Sequence, residues 1–167
     1  GFFGVMVAWS AYGAFRLESD AYLLRDLPPT STNRKSFDFG DQNLGGSKPW
    51  EIAVYLKDST QKIWSPEVMN EVNKASSYLK DSFGLAEIRS PTEVLAYANY
   101  LHYGEVEVPT RTNKAYSLAR QILRQQNFRL IAEDQRSLRI TGLIPEIGSK
   151  ATVKMNNQLL QYLNSNV

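Results

Sequence analysis

The sequence predicts an α+β domain with a split β-α-β, ferredoxin-like plan and a two-helix insertion. Three observations lead to this prediction. A strand of period two at 50–56 is followed by a capped amphipathic helix and a short strand at 85–89. Two more capped helices occupy about 90–126. An alternating hairpin at 128–144 then precedes a last helix, and a closing strand would be expected after that helix.

Composition narrows the class of protein. The chain has 167 residues, of which 43% are hydrophobic and 22% charged, as in an ordinary globular domain. It has no cysteine, which excludes disulfides, thiolate metal sites and a cysteine nucleophile. The formal net charge of +2 is too small to indicate a nucleic-acid partner.

The chain divides into three parts, of which the last is the domain. Residues 1–15 carry no charge and end in aromatic side chains, which fits either the end of a truncated membrane helix or an apolar tail. Residues 16–49 are rich in Asp, Pro, Ser, Asn and Gly and predict an extended, mostly irregular connection. Residues 50–167 form the domain. Residues 14–19 alternate in polarity and are the nearest candidate to pair with an unpaired sheet edge.

The first strand, WEIAVYL, alternates apolar and other side chains, so one face should be buried. Gly45-Gly46 lets the chain turn into it. Ser65 and Pro66 begin the next helix, and Gly84 ends it. The apolar stripe of that helix consists of Val68, Val72, Leu79 and Phe83.

The second half of the chain shows further caps. Ser90 with Glu93 forms a capping box, Gly104 ends that helix, and Asn113 caps the next. Ser149 is predicted to cap the last helix. The predicted inner faces are Val94, Ala98 and Leu101, then Tyr116, Ala119 and Leu123, then Met155, Leu159, Leu160 and Leu163. In the hairpin, Phe128, Leu130 and Ala132 face Leu138, Ile140 and Gly142 across a turn at 133–137.

Catalytic motifs are missing from the sequence. His102 is the only histidine and has no nucleophile motif near it, so it is predicted to be a capping or surface residue. Asp38 and Asp41 are interpreted as loop residues rather than metal ligands. The glycines before Ser47-Lys48 precede a strand, which is the wrong context for a phosphate loop. We therefore predict no enzyme, cofactor, metal or nucleic acid.

Two sets of residues are candidates for binding. Tyr97, Tyr100 and Tyr103 repeat at three-residue spacing, which suits either a contact surface for an apolar molecule or subunit, or packing against the sheet. A basic stretch suits either a solvated helix face and hairpin tip, or a surface for an anionic ligand or lipid headgroup. It consists of Arg111, Lys114, Arg120, Arg124, Arg129, Arg136 and Arg139.

Several stretches of the chain, taken in order, form a recognisable set. An apolar helix end runs into RLESDAYLLRDLPPTS and is followed by Phe39, Gly45-Gly46 and KPWEIAVYL. The set continues with SPEVMNEVNKASSYLKDSFGLAEIRSPTEVLAYAN and DQRSLRITGLIPEIGSKATVKMNNQLLQYL. In this order the stretches resemble the first large extracytoplasmic loop of exporters of the resistance-nodulation-division superfamily, especially the branch of mycobacterial large membrane proteins. The resemblance covers about residue 13 to the end.

This resemblance implies a periplasmic porter domain of a proton-driven inner-membrane pump. Its partners would be the membrane helices of the parent transporter, a lipid or amphiphilic cargo, and other copies of the chain in a homo-oligomer. The acidic residues of the proton relay lie in membrane helices of the family, so none is transferred to this chain. The first rival interpretation is a freestanding α+β domain that binds a small ligand or regulates another protein. The second is an RNA-binding domain, which shares the split β-α-β plan, but SLRITGLIP lacks the aromatic strand motif of that class.

Overall fold

The computed structural model describes Tyr22, residues 27–126 and residues 129–166. The predicted membrane-helix end at 1–15, the segment 14–19 and Phe128 lie outside the described residues.

Within the described residues the chain forms five helices and a three-stranded antiparallel sheet, which confirms the α+β class. The elements are α1 (Thr32–Asn43), β1 (Lys48–Tyr55), α2 (Pro66–Asp81), β2 (Ala86–Arg89), α3 (Pro91–Tyr103), α4 (Lys114–Gln125), β3 (Ser137–Ile144) and α5 (Ser149–Asn166). The strand order is β1-β3-β2, so β3 lies between the two strands that α2 connects. None of the described helices combines the length and apolar character needed to cross a membrane.

The register of β1 and β3 gives the sheet one buried and one open face. Ile52 pairs with Ile140 and Val54 with Leu138, and these side chains contribute to the core. Glu51, Ala53 and Tyr55 alternate with them and are exposed on the opposite face. The predicted alternation of both strands is confirmed. Within the described residues, β1 and β2 each keep one edge without a partner strand.

Helix caps set the starts of α2, α3 and α4, as predicted, whereas Ser149, predicted to cap the last helix, is the first residue within α5. The hydroxyl oxygens of Ser65 and Ser90 accept hydrogen bonds from the N–H groups of Val68 and Glu93, at 3.3 and 3.2 Å. Asn113 caps α4 by accepting from the N–H of Ala115 at 2.9 Å. The apolar stripes of α2 and α4 then pack into one core. That core contains Ile63, Met69, Leu79, Leu95, Tyr116 and Ile140, among others.

The prediction of an irregular connection over 16–49 is wrong for Thr32–Asn43, which form α1. Only Gly40 of this helix is buried, so it lacks the apolar stripe that reveals a helix in sequence. Polar contacts hold it instead. The Ser31 hydroxyl accepts from the N–H of Arg34 at 3.2 Å, and the Arg34 guanidinium pairs with Asp38 at 3.0 Å.

The interpretation of Asp41 as a loop residue is wrong too, because Asp41 lies in α1. Its carboxylate accepts from the N–H and hydroxyl of Ser47 at 2.8 and 2.6 Å, and from the N–H of Glu146 at 3.1 Å. One side chain thereby ties α1 to the start of β1 and to the segment after β3. Asp38 likewise lies in the helix.

The first arm of the predicted hairpin is not a regular strand. Residues 129–132 contact β3 through a single bridge between Ile131 and Leu138, although Leu130 is buried. Two backbone bonds hold this arm, from the N–H of Ala132 and to the carbonyl of Leu130. In α5, Leu159 is buried, but Leu160 is exposed, so its predicted inner position is wrong.

Candidate functional site

Helix α3 presents one face to the core and one to solvent. Leu95 and Ala98 are fully buried, which confirms Ala98 as an inner residue. Leu101, also predicted to face inward, is 54% exposed. The sequence pattern missed the true inner face because one of its members is polar, namely Asn99, which is only 2% exposed.

Asn99 fixes the linker between α3 and α4. Its amide nitrogen donates to the carbonyls of Glu105 and Glu107 at 3.2 and 3.1 Å, and its oxygen accepts from the amide of Asn113 at 3.4 Å. The Tyr116 hydroxyl donates to the carbonyl of Pro109 in the same linker at 2.9 Å. These bonds satisfy polar groups that would be costly to bury unpaired. They set the position of α3 relative to α4.

The outer side of α3 carries an aromatic face, which consists of Tyr97, Tyr100, Leu101 and Tyr103. Their exposed fractions are 55%, 51%, 54% and 48%. Because successive residues rotate by about 100° on a helix, these four span an arc of about 160°. The interpretation of the tyrosines as packing against the sheet does not fit these exposures. The sequence placed the three tyrosines on one helix correctly and missed Leu101.

An apolar groove of about 560 Å³ adjoins this face, between β2, α3, α4 and Leu130. Tyr97 belongs to both the groove and the α3 aromatic face, whereas Tyr100 and Tyr103 do not line the groove. The groove is lined by Ile88, Arg89, Ser90, Glu93, Val94, Tyr97, Ile122, Gln126 and Leu130. Its volume falls in the range of about 300–1,000 Å³ that is typical of small-molecule sites. The sequence did not reveal Ile88 and Ile122 as groove residues. Ile88 lies in a four-residue strand and Ile122 beside the buried stripe of α4, and neither position shows an apolar period that points to a groove.

A second, basic groove of about 760 Å³ lies between α4, residues 129–135 and the start of β3. Four members of the predicted basic stretch line it, namely Arg120, Arg124, Arg129 and Arg139. The other three lie elsewhere. Arg111 and Lys114 are exposed, and the Arg136 guanidinium donates to the carbonyls of Leu56, Asp58 and Ser59.

Groups suited to catalysis do not converge in the described part of the chain. His102 is exposed, as predicted, and its ring meets the edge of Tyr103 at 4.5 Å between centroids. No three His, Asp or Glu side chains among the described residues are arranged to hold a metal ion. Among the described residues two pKa values are displaced, those of Asp58 and Tyr116, and both have local causes. The N–H and hydroxyl of Thr60 lower the pKa of Asp58, while burial, and then the Glu67 carboxylate, raise the pKa of Tyr116.

No model of a known protein family matches this chain, and no curated protein or solved structure matches it either. The two grooves and the α3 aromatic face are the candidate binding surfaces of the described residues.

Proposed function

We propose that this chain is an extracytoplasmic porter-type domain of a proton-driven inner-membrane exporter, of the resistance-nodulation-division superfamily. In this role it binds and conducts lipids or amphiphilic compounds and performs no chemistry on them. The α3 aromatic face beside the apolar groove is the observation that carries the proposal. Large apolar side chains left open in a cluster are typical of contact sites.

The architecture supports the family part of the proposal. The order β1-β3-β2, with two helices inserted before β3, fits the split β-α-β, ferredoxin-like plan of a porter domain. The sequence resemblance runs through the same elements, from KPWEIAVYL in β1 to the last helix.

The chemistry of the groove suits an amphiphile. Ile88, Val94, Ile122 and Leu130 offer apolar contacts, and the charged side chains of Arg89 and Glu93 lie among them. A mostly apolar site with a few polar groups orients a ligand that has a polar head and an apolar tail. Tyr97 connects the groove to the open face, so a chain longer than the groove continues along α3.

The size of the surface indicates weak binding. An amphiphile that covers about 350 Å² of apolar area on the groove and face gains about 9 kcal/mol at about 25 cal/mol per Å². The loss of translational and rotational freedom on association offsets about 4 kcal/mol or more of this. The remaining free energy corresponds to a dissociation constant on the order of a millimolar. Weak binding suits a conducting domain, because the cargo must leave again.

Chemical-shift mapping tests the cargo site. We expect a short-chain lysophospholipid to shift the backbone resonances of residues 88–103 and 122–126. The double variant Tyr97→Ser, Tyr100→Ser should weaken binding about five-fold or more, because each tyrosine loses its ring contact with the ligand. Tyr55→Ser is the matched control, since Tyr55 is 71% exposed on the open sheet face. Shifts that avoid residues 94–103 would contradict the site.

The transporter part of the proposal has a separate test. The coding sequence on both sides of the chain should encode runs of membrane spans, each of about 20 apolar residues. Flanking sequence without such spans would favour a freestanding ligand-binding or regulatory domain.

A further inference from the structure

The basic groove gathers positive charge that is only partly neutralised by the described residues. Arg120, Arg124 and Arg129 form no salt bridge with any of the described residues. Only two carboxylates, those of Glu51 and Glu133, line the groove with the four guanidiniums. Such a concave surface of one dominant charge concentrates anions near it.

Arg139 adds a more specific signal. Its terminal nitrogen is 3.4 Å from the Glu51 carboxylate, a long contact between partly exposed side chains. Its Nε is buried and has no hydrogen-bond acceptor among the described residues. Buried donors without an acceptor are uncommon in folded proteins. Because this Nε is closed to solvent, an anion in the groove would contact the accessible part of the Arg139 side chain, which is 40% exposed.

Arg120 and Arg124 lie on the same side of α4, and Arg120 is also positioned by a ring contact. They lie four residues apart on α4, so their side chains share one face of the helix. The Arg120 guanidinium sits 5.2 Å from the ring centroid of Trp64, which is 9% exposed and anchored in the core. Stacking on a fixed ring restricts the guanidinium before any ligand binds. The like charges repel each other, and an anion between them would relieve that repulsion.

Arg136 shows that these properties are not common to the whole basic stretch. Its guanidinium makes hydrogen bonds of 3.1–3.2 Å to three backbone carbonyls after β1, so it has a structural role. The guanidiniums of the basic groove have no such carbonyl partners among the described residues.

We propose that the basic groove is a second binding site, which takes a phosphate ester. Guanidinium groups match the oxygens of phosphate in geometry as well as charge, and several of them around one cavity favour a doubly charged group. The basic groove shares Leu130 with the apolar groove and none of its lining residues with the α3 aromatic face. The phosphate comes either from a lipid headgroup or from a free phosphorylated molecule.

Calorimetric titration with inorganic pyrophosphate tests the site on the 167-residue chain. The double variant Arg120→Gln, Arg124→Gln should bind at least about 10-fold more weakly, because charge-assisted hydrogen bonds are lost. The control is Arg111→Gln, Lys114→Gln, which removes the same charge outside the groove and should leave affinity within about two-fold. Equal losses in both double variants would mean general charge attraction and overturn the proposal.

Tryptophan fluorescence gives a second readout. Because Arg120 covers Trp64, pyrophosphate should change the emission of the chain, and Trp64→Phe should abolish most of that change. Should the double variant fail to fold, the single variant Arg129→Gln replaces it, because Arg129 is exposed and is not part of a helix. This variant should still weaken binding at least about three-fold. An unchanged affinity in Arg129→Gln would count against the site.

Vesicle sedimentation separates the two sources of phosphate. Binding to phosphatidic acid vesicles, but not phosphatidylcholine vesicles, together with sensitivity to Arg120→Gln, Arg124→Gln, identifies a lipid headgroup. Binding of pyrophosphate without vesicle binding identifies a free phosphorylated ligand. Absence of binding to both would overturn the proposal, and would leave the lysophospholipid site on α3 unaffected.

Discussion

Replacing Asn99 with alanine should destabilise the domain by about 2–3 kcal/mol, because two hydrogen bonds of about 1 kcal/mol each are lost with some packing. The two bonds are those to the carbonyls of Glu105 and Glu107, at 3.2 and 3.1 Å. The longer contact with Asn113, at 3.4 Å, contributes less. In a chain of this size that loss lowers the melting temperature by about 5–10 °C.

Urea denaturation of Asn99→Ala beside Asn70→Ala is the assay. Asn70 is exposed on α2, so its replacement should change the free energy of unfolding by no more than about 0.5 kcal/mol. Hydrogen exchange should also accelerate at residues 104–113, since Asn99 holds this linker against α3. Equal midpoints for the two variants would refute the role assigned to the buried amide.

Three further outcomes follow from particular contacts. Gly46→Ala should lower the free energy of unfolding by about 3 kcal/mol or more, since φ is +149° and the added Cβ would lie 2.3 Å from the backbone of β3. Gly84→Ala, at φ +66° but with open space around the added Cβ, should lower it by about 1–2 kcal/mol. Urea denaturation midpoints measure both losses. Tyr116 has a raised pKa, so it stabilises the fold fully below the ordinary tyrosine pKa of about 10, and this contribution is lost as pH rises through the folded-state value. Tyr116→Phe should therefore make stability fall less steeply with pH above about 10 in alkaline unfolding curves, and an unchanged slope would contradict the assignment. Leu79→Ala should lower the free energy of unfolding by about 2–5 kcal/mol, because it leaves a cavity in the core. Leu160→Ala, on an exposed face, should lower it by less than about 1 kcal/mol, and urea denaturation measures both.

Local signals made most of the regular structure predictable. Ser65-Pro66, Ser90-Pro91 and Asn113 each begin a helix in the structure, because a cap satisfies backbone N–H groups irrespective of the tertiary fold. The alternation in 50–56 and in the second arm of the predicted hairpin identified two strands, because only one face of this sheet is buried. Their direct pairing was not predicted, since the sequence paired the second of them with residues 128–132.

The failures have physical causes of their own. Helix α1 buries only Gly40, so no apolar period exists to reveal it. The orientation of α3 depends on the buried Asn99. Its burial is favourable only because its amide forms hydrogen bonds with the linker carbonyls and with Asn113, and the sequence does not show those contacts. The basic groove gathers residues from α4, the segment before β3 and β3 itself, so it exists only in the folded chain.

Photo-crosslinking tests the central claim most directly. A phospholipid with a diazirine in its acyl chain, mixed with the full chain and irradiated, should label residues 88–103 and 122–126, as located by peptide mass spectrometry. Excess unlabelled lysophospholipid should compete with this labelling, and the double variant Tyr97→Ser, Tyr100→Ser should reduce it. Labelling confined to the open sheet face around Tyr55, or spread evenly over the chain and insensitive to competitor, would contradict a cargo site on α3.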